Sequence, residues 1–107
     1  MVRESCNNDR LASQKPNAVR ERSKQLFGHR YMLEVCLAVG GTDERVCLTD
    51  LASAAAVSPS LYSGPVRRLT DLGLLVPVAR RPEDDHRTRW YQSAESSLWA
   101  ATQELRP

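Results

Sequence analysis

Cysteine is scarce in this chain, and every spacing that would give it a chemistry is missing. Cys6, Cys36 and Cys47 are the only three in 107 residues, too few and too scattered for a disulfide framework, and no CxxC or HxxxH pair accompanies them. No metal site is expected, and a reducing, cytoplasmic setting is. No apolar run approaches the ~20 residues that span a bilayer, so no membrane segment is expected. Residues 1–16, MVRESCNNDRLASQKP, lack the apolar centre of a secretory signal and read as a flexible polar arm. There is no nucleophile–base pair in sequence context, no glycine-rich phosphate loop and no HExxH. The acids at 83–85 fall on a turn, a poor place to tune pKa values. Neither an enzymatic activity nor a cofactor is expected. An excess of one charge is absent too, with 15 Lys/Arg against 13 Asp/Glu, so bulk charge names no partner.

What is present is a length that holds one domain with one modest core. A hydrophobic share of 41% and a charged share of 26% place it among soluble globular chains. The charges are unevenly placed. Residues 1–30 carry seven basic residues against three acids, and residues 57–91 carry six arginines against four acids. Residues 31–56 run the other way, with Arg45 alone against Glu34, Asp43, Glu44 and Asp50. Arginine outnumbers lysine 13 to 2, which fits phosphate and guanine recognition and equally fits a GC-rich genome.

Along the chain, Asn17 is placed to cap a helix over about 18–27, which Gly28 interrupts. A second helix over about 29–39 carries Met32, Val35, Cys36 and Val39 at i, i+3, i+4 and i+7, with Leu33 and Leu37 broadening the stripe. That is the pattern of a central helix covered on more than one side. Gly40-Gly41 stops it, GGTDERV reads as a solvated loop, and Val46–Leu48 is long enough for a short strand. Thr49 or Asp50 then caps a helix over 50–56 whose face is Leu51, Ala52 and Ala55. Ser58-Pro59 opens the next helix, with proline at its first position, and Gly73 closes it as a left-handed C-cap. The inner face read for this helix is Leu61, Pro65, Leu69 and Leu72. Leu74–Val78 is a strand that Pro77 keeps at an edge or at an irregular spot, residues 82–85 make a turn, and Thr88–Ser93 return as its partner. A last helix begins at Ala94, with Leu98, Ala101, Thr102 and Leu105 inward.

Two tightly linked helices followed by a hairpin make a helix-turn-helix with an attached wing. In such a unit the second helix enters the major groove of a duplex. Its outward polar groups here are Ser58, Ser60, Tyr62, Ser63, Arg67 and Arg68. Serine hydroxyls and helix-N-terminal amides suit phosphate, and arginine suits guanine O6/N7. The hairpin carries Arg80, Arg81, His86, Arg87 and Arg89 around an acidic tip, positions from which a wing enters the minor groove or clamps phosphates. Of Glu83, Asp84 and Asp85, one is expected to pair with an arginine and hold the tip in shape while the others point away.

The stretches Leu51-Ala52, Val57-Ser58-Pro59-Ser60, Arg68-Leu69, Leu72-Gly73-Leu74-Leu75 and the pair Asp85/Arg87 carry a resemblance. Over about residues 29–93 the chain resembles the winged-helix transcription regulators of the MarR and ArsR type. The resemblance implies a mainly α fold with a small antiparallel β-sheet (α+β), spanning 17–107 with flanking terminal helices. It implies binding of double-stranded DNA, with Ser58, Ser60, Ser63, Arg68 and Arg87 as contacts. It also implies a homodimer built on the terminal helices, for which Leu26, Phe27, Leu98, Trp99 and Leu105 are the apolar candidates. Trp99 lies off the inner stripe, pointing either to a second buried face or to packing on its own wing; Trp90 reads as core or wing hinge.

Two residues depart from the family pattern. Gly64 stands where a polar or basic groove contact is usual. Pro65 falls mid-helix, where proline costs on the order of 3 kcal/mol. Either the helix kinks there, or it begins there. The clustered Cys/His ligands of ArsR-type metal sensors are missing, so Cys36 and Cys47 read as small buried hydrophobes and His29 as a cap or surface residue. Two other functions stay open: a winged helix that docks proteins without DNA affinity, and a thiol-responsive repressor.

Overall fold

Ser23 explains how the chain enters its core. The computed structural model describes residues 17–107, so the arm expected over 1–16 lies outside them. Helix α1 covers residues 17–27 and stops at Gly28, whose φ of +69° is open to glycine at no cost. Ser23 is fully buried: its hydroxyl donates to the His29 carbonyl and accepts from the Leu33 amide at 2.9 Å. The His29 ring accepts from the Tyr31 amide at 3.1 Å. These bonds shape residues 29–31 as a turn, so the second helix, α2, is Met32–Gly40 and starts later than its apolar periodicity suggests. Met32, Leu33, Val35, Cys36 and Val39 are all buried, as expected of a central helix.

The expected strand at Val46–Leu48 shrinks to one rung. Val46 exchanges both backbone bonds with Tyr91, at 2.7 and 2.8 Å, and Leu48 is already helical. Helix α3 is Leu48–Ala54, with Cys47 rather than Thr49 or Asp50 at its N-cap. Asp50 instead sits in the first turn, where the helix dipole favours it. Helix α4 is Pro59–Asp71, with Ser58 as N-cap and Pro59 at the first position.

Both helices of this pair end in the same motif. The Ala56 and Val57 amides donate to Ser53 and Ala52, and those of Gly73 and Leu74 donate to Thr70 and Leu69. The residue that must turn left-handed is Ala56 (φ 57°) in the first and Gly73 (φ +77°) in the second.

Strand β1, Leu75–Val78, pairs antiparallel with β2, Trp90–Ser93, in the register Leu75↔Ser93 to Val78↔Trp90. Tyr91 turns both its backbone groups toward Val46, so the Pro77↔Tyr91 rung exchanges no bonds and Pro77's nitrogen faces the open edge. The Ala94 amide still reaches the Leu74 carbonyl at 2.9 Å, and residues 94–96 are not helical. The last helix, α5, is therefore Ser97–Glu104 and not a helix from Ala94; Ser96 caps it by accepting from the Leu98 amide at 3.0 Å.

The core gathers Val35, Cys36 and Val39 of α2, Ala52 of α3, Tyr62, Val66 and Leu69 of α4, and Leu75 of β1. Two sequence expectations fail here. The inner face of α4 is Tyr62, Pro65, Val66 and Leu69, while Leu61 and Leu72 are 39% and 73% exposed. Trp99 packs neither on the wing nor on a separate face. It lies on the core beside Gly40, its indole donating to the Ala94 carbonyl at 2.8 Å. Among the described residues, no helix is long and apolar enough to cross a membrane, and no three His, Cys, Asp or Glu are grouped to hold a metal ion.

Candidate nucleic-acid interface

Helix α4 runs through Pro65 without restarting there. The missing amide leaves the Leu61 carbonyl without its helical donor, at a residue open to solvent, while the pyrrolidine ring is fully buried. Gly64 also has a local reason: a Cβ there would come within 3.3 Å of His29 Nε2. The glycine admits the imidazole where a longer side chain would meet it.

On its outer side α4 presents Ser58, Ser60, Ser63, Arg67 and Arg68, all exposed. Ser58 makes no capping bond; its hydroxyl lies 3.0 Å from that of Ser60, and the Ser63 hydroxyl donates to the Ser60 carbonyl at 2.9 Å. Tyr62 is the correction in this group. It is 2% exposed, and its phenol donates to the Glu34 carboxylate, inside the fold rather than toward a groove.

A cleft of about 830 Å³ opens between α4, the start of α3 and the wing. Ser63, Gly64, Arg67 and Thr70 line it from α4, and Arg87, Thr88 and Arg89 line it from the wing. The spacing of Ser60, Ser63 and Arg67 places them along one face of the helix. Arg67, Arg87 and Arg89 therefore share one concave surface, with Asp71 as the acid among its walls. Among the described residues none of the three arginines is in an ion pair, so their charge is available to a polyanion.

The other arginines and the histidine are distributed differently. Arg68 is exposed but stands outside this cleft, and Arg81 lines a separate hollow on the far side of the wing with Asp43, Glu44, Asp50 and Trp90. Arg80 and His86 are exposed on the wing, with His86 Nδ1 3.7 Å from Asp85.

The acidic tip is built as expected, with a partner from elsewhere. Asp84 is the acid that pairs, and Arg45 grips it from the loop before α3. One Arg45 nitrogen lies 2.8 Å from Asp84 Oδ1, another holds Oδ2, and the Arg81 amide donates to Oδ2 at 2.8 Å. The bond from Arg45 comes first among the causes that lower the Asp84 pKa to about 2. Asp85 accepts from the Arg87 amide at 2.9 Å and stays exposed, as does Glu83. Sequence reasoning placed Arg45 in a solvated loop; its isolation as the lone cation of an acidic stretch was the available signal.

Of the residues considered for a second subunit, Phe27, Leu98 and Trp99 already pack on this chain's own core. Leu26 is 52% exposed and Leu105 half-buried. Cys36 and Cys47 are buried and free, and burial raises both thiol pKa values, that of Cys36 to about 11. Such thiols are protonated at neutral pH and poor sensors. Cys6 lies outside the described residues.

The sequence matches no family model and no curated relative. Solved structures do resemble the fold. The transcriptional regulator BldR from Sulfolobus solfataricus superposes with a TM-score of 0.63 at 16% identity, over 97% of this chain and 74% of that one. A MarR-family transcriptional regulator from Rhodococcus sp. RHA1 gives 0.62 at 21% identity, over 91% of this chain and 69% of that one. This chain has a winged-helix fold. Within that fold α3 and α4 are the helix-turn-helix, and residues 79–89 between β1 and β2 form the wing.

Proposed function

We propose that this protein is a DNA-binding transcriptional regulator. It sets α4 in the major groove and lays wing residues 80–89 on the adjoining minor groove or its phosphates. The observation that carries this reading is the shared cleft in which Ser63 and Arg67 of α4 meet Arg87 and Arg89 of the wing. That both structural relatives are transcriptional regulators supports it. Ser58 and Ser60 offer further phosphate contacts at the helix start, and Arg68, Arg80, Arg81 and His86 supply peripheral ones. A homodimer would place two such clefts about one helical turn of DNA apart, ~34 Å, with Leu26 and Leu105 the apolar groups left for the contact between copies.

Fluorescence anisotropy with a random duplex pool tests the reading. Affinity should fall steeply between low and moderate salt, as it does when several phosphates are contacted. Arg87→Ala, or Arg67 and Arg68 both changed to Ala, should weaken binding with the melting temperature unchanged. Equal affinity in both variants would refute the interface. A protein-docking winged helix is the second reading, favoured by the exposed Leu72 and Val76 and by the near-balanced total charge. It calls for no duplex affinity even at low salt.

A further inference from the structure

The wing that presents Arg87 and Arg89 has little to hold it. Within residues 79–89 the backbone bonds are Asp84 to Arg81 and Thr88 to Asp85, both 3.0 Å, and the side-chain bonds are those of Asp84 and Asp85. Among the described residues, one hydrogen-bonded pair ties this loop to another element, and that is Arg45 with Asp84. The Arg45 guanidinium also lies over the Trp90 ring, 4.0 Å from its centroid. Asp84 opens the segment that carries His86, Arg87 and Arg89, and Trp90 closes it. A single side chain thus holds both ends of the arginine-bearing segment, by a two-pronged ion pair at one end and a cation–π contact at the other. The pair is shielded, with the side chains 16% and 8% exposed, and Val46, the next residue, is fixed to Tyr91 by two backbone bonds.

We infer that Arg45 and Asp84 are positioning residues for DNA binding: they set the wing so that Arg87 and Arg89 face α4 before DNA arrives. The inference rests on the proposed DNA-binding reading. Its physical basis is preorganisation. Without the clasp, the wing must be ordered at the moment of binding, which costs affinity and lets its hold on the phosphates lapse.

A charge argument alone predicts the opposite sign for one variant, and that makes the test sharp. Asp84→Asn removes a negative charge from a loop that approaches a polyanion, so simple electrostatics calls for tighter binding. The clasp calls for weaker binding, by about tenfold, with the salt slope shallower by about 0.9 for each phosphate that the wing no longer reaches. Glu83→Gln removes the neighbouring exposed charge and leaves the clasp whole, so it should bind duplex as well as the parent or better. Arg45→Ala should behave like Asp84→Asn. Arg45→Lys keeps the charge but not the two-pronged geometry, and should rescue only part of the loss. Each variant is titrated with the same fluorescent duplex at several salt concentrations, and circular dichroism melting confirms that it is folded.

If the parent binds duplex and Asp84→Asn binds as tightly or more tightly, the clasp is refuted while the DNA-binding reading stands. If Asp84→Asn weakens binding but keeps the parent salt slope, wing placement is refuted as the cause. If the parent shows no duplex affinity at low salt, both readings fall together.

Discussion

The Tyr62 phenol, on α4, donates to the Glu34 carboxylate on α2. Arg20 of α1 grips the same carboxylate at 2.7 Å and lies over the Tyr31 ring, 5.1 Å from its centroid. One half-buried acid therefore joins three helices, at a point outside the cleft.

Removing this junction should register in stability before it registers in binding. Tyr62→Phe keeps the packed ring and leaves Glu34 paired with Arg20, so it should cost about 1 kcal/mol. Glu34→Ala strands the Tyr62 hydroxyl and Arg20 together, and should cost about 2–3 kcal/mol. Urea unfolding measures both. Because the phenol faces the core, Tyr62→Phe should leave duplex affinity unchanged; a clear loss would place Tyr62 back at the groove.

Alkali should loosen the fold chiefly from the two buried groups whose pKa values shift most, Tyr62 and Cys36. Burial, then the bond to Glu34, push the Tyr62 pKa up from its ordinary value, and burial pushes Cys36 up to about 11. Each group is neutral when protonated and binds its proton more tightly folded than unfolded. Its contribution is therefore complete below the unfolded pKa, near 9 for the thiol and near 10 for the phenol. It is lost as pH rises beyond those values. Asp84 works in the opposite sense: its pKa falls from 3.8 to about 2, so its contribution is present above pH 4 and disappears as pH drops through that interval. Melting temperature against pH should decline on both flanks. Tyr62→Phe with Cys36→Ser should flatten the alkaline one, and an unchanged decline in that double variant would refute the assignment.

What the sequence made legible was local. Ser58-Pro59 marked where α4 starts, Gly73 where it stops, and the stripe through Met32, Val35, Cys36 and Val39 marked α2 as central. The face of α4 was misjudged because two sectors fit the same spacing. Leu61, Pro65, Leu69 and Leu72 form one; Tyr62, Pro65, Val66 and Leu69 form the other. Leucine looks more apolar than tyrosine, and the choice turned on whether a partner for the phenol existed. That partner, Glu34, is 28 residues away in sequence. The wing shows the same limit: three adjacent acids signalled a needed cation, but Arg45 is 39 residues from Asp84. Periodicity and capping report on neighbours along the chain. A pairing across the fold leaves only an unexplained charge.

Ala56 carries strain that glycine would release. It occupies the same left-handed position after α3 that Gly73 occupies after α4, with the same pair of backbone bonds around it. A non-glycine residue there costs about 1–2 kcal/mol, part of which a glycine gives back in unfolded-state entropy. Ala56→Gly should stabilise the protein by about 0.5–1 kcal/mol, and Gly73→Ala should destabilise it by about 1 kcal/mol. Chemical denaturation of the two variants gives both signs; a destabilised Ala56→Gly would mean that the turn between α3 and α4 holds alanine for its side chain.

Gly40 sets how closely α5 approaches α2. A Cβ at this position would lie 3.0 Å from the Trp99 Cβ and 3.3 Å from its ring. The first of these atoms is fixed to the backbone, so a rotamer change cannot relieve the contact, and α5 itself would have to shift. Overpacking of this kind costs about 1–3 kcal/mol. Alanine returns at most about 1 kcal/mol in helix propensity, and less at Gly40, the last residue of α2. Gly40→Ala should therefore destabilise the fold by about 1 kcal/mol or more. The environment of Trp99, with its indole bond to Ala94, should change with it. Denaturant unfolding followed by tryptophan fluorescence reads both effects, and a variant as stable as the parent, with an unmoved emission maximum, would show that α5 is not seated on the glycine.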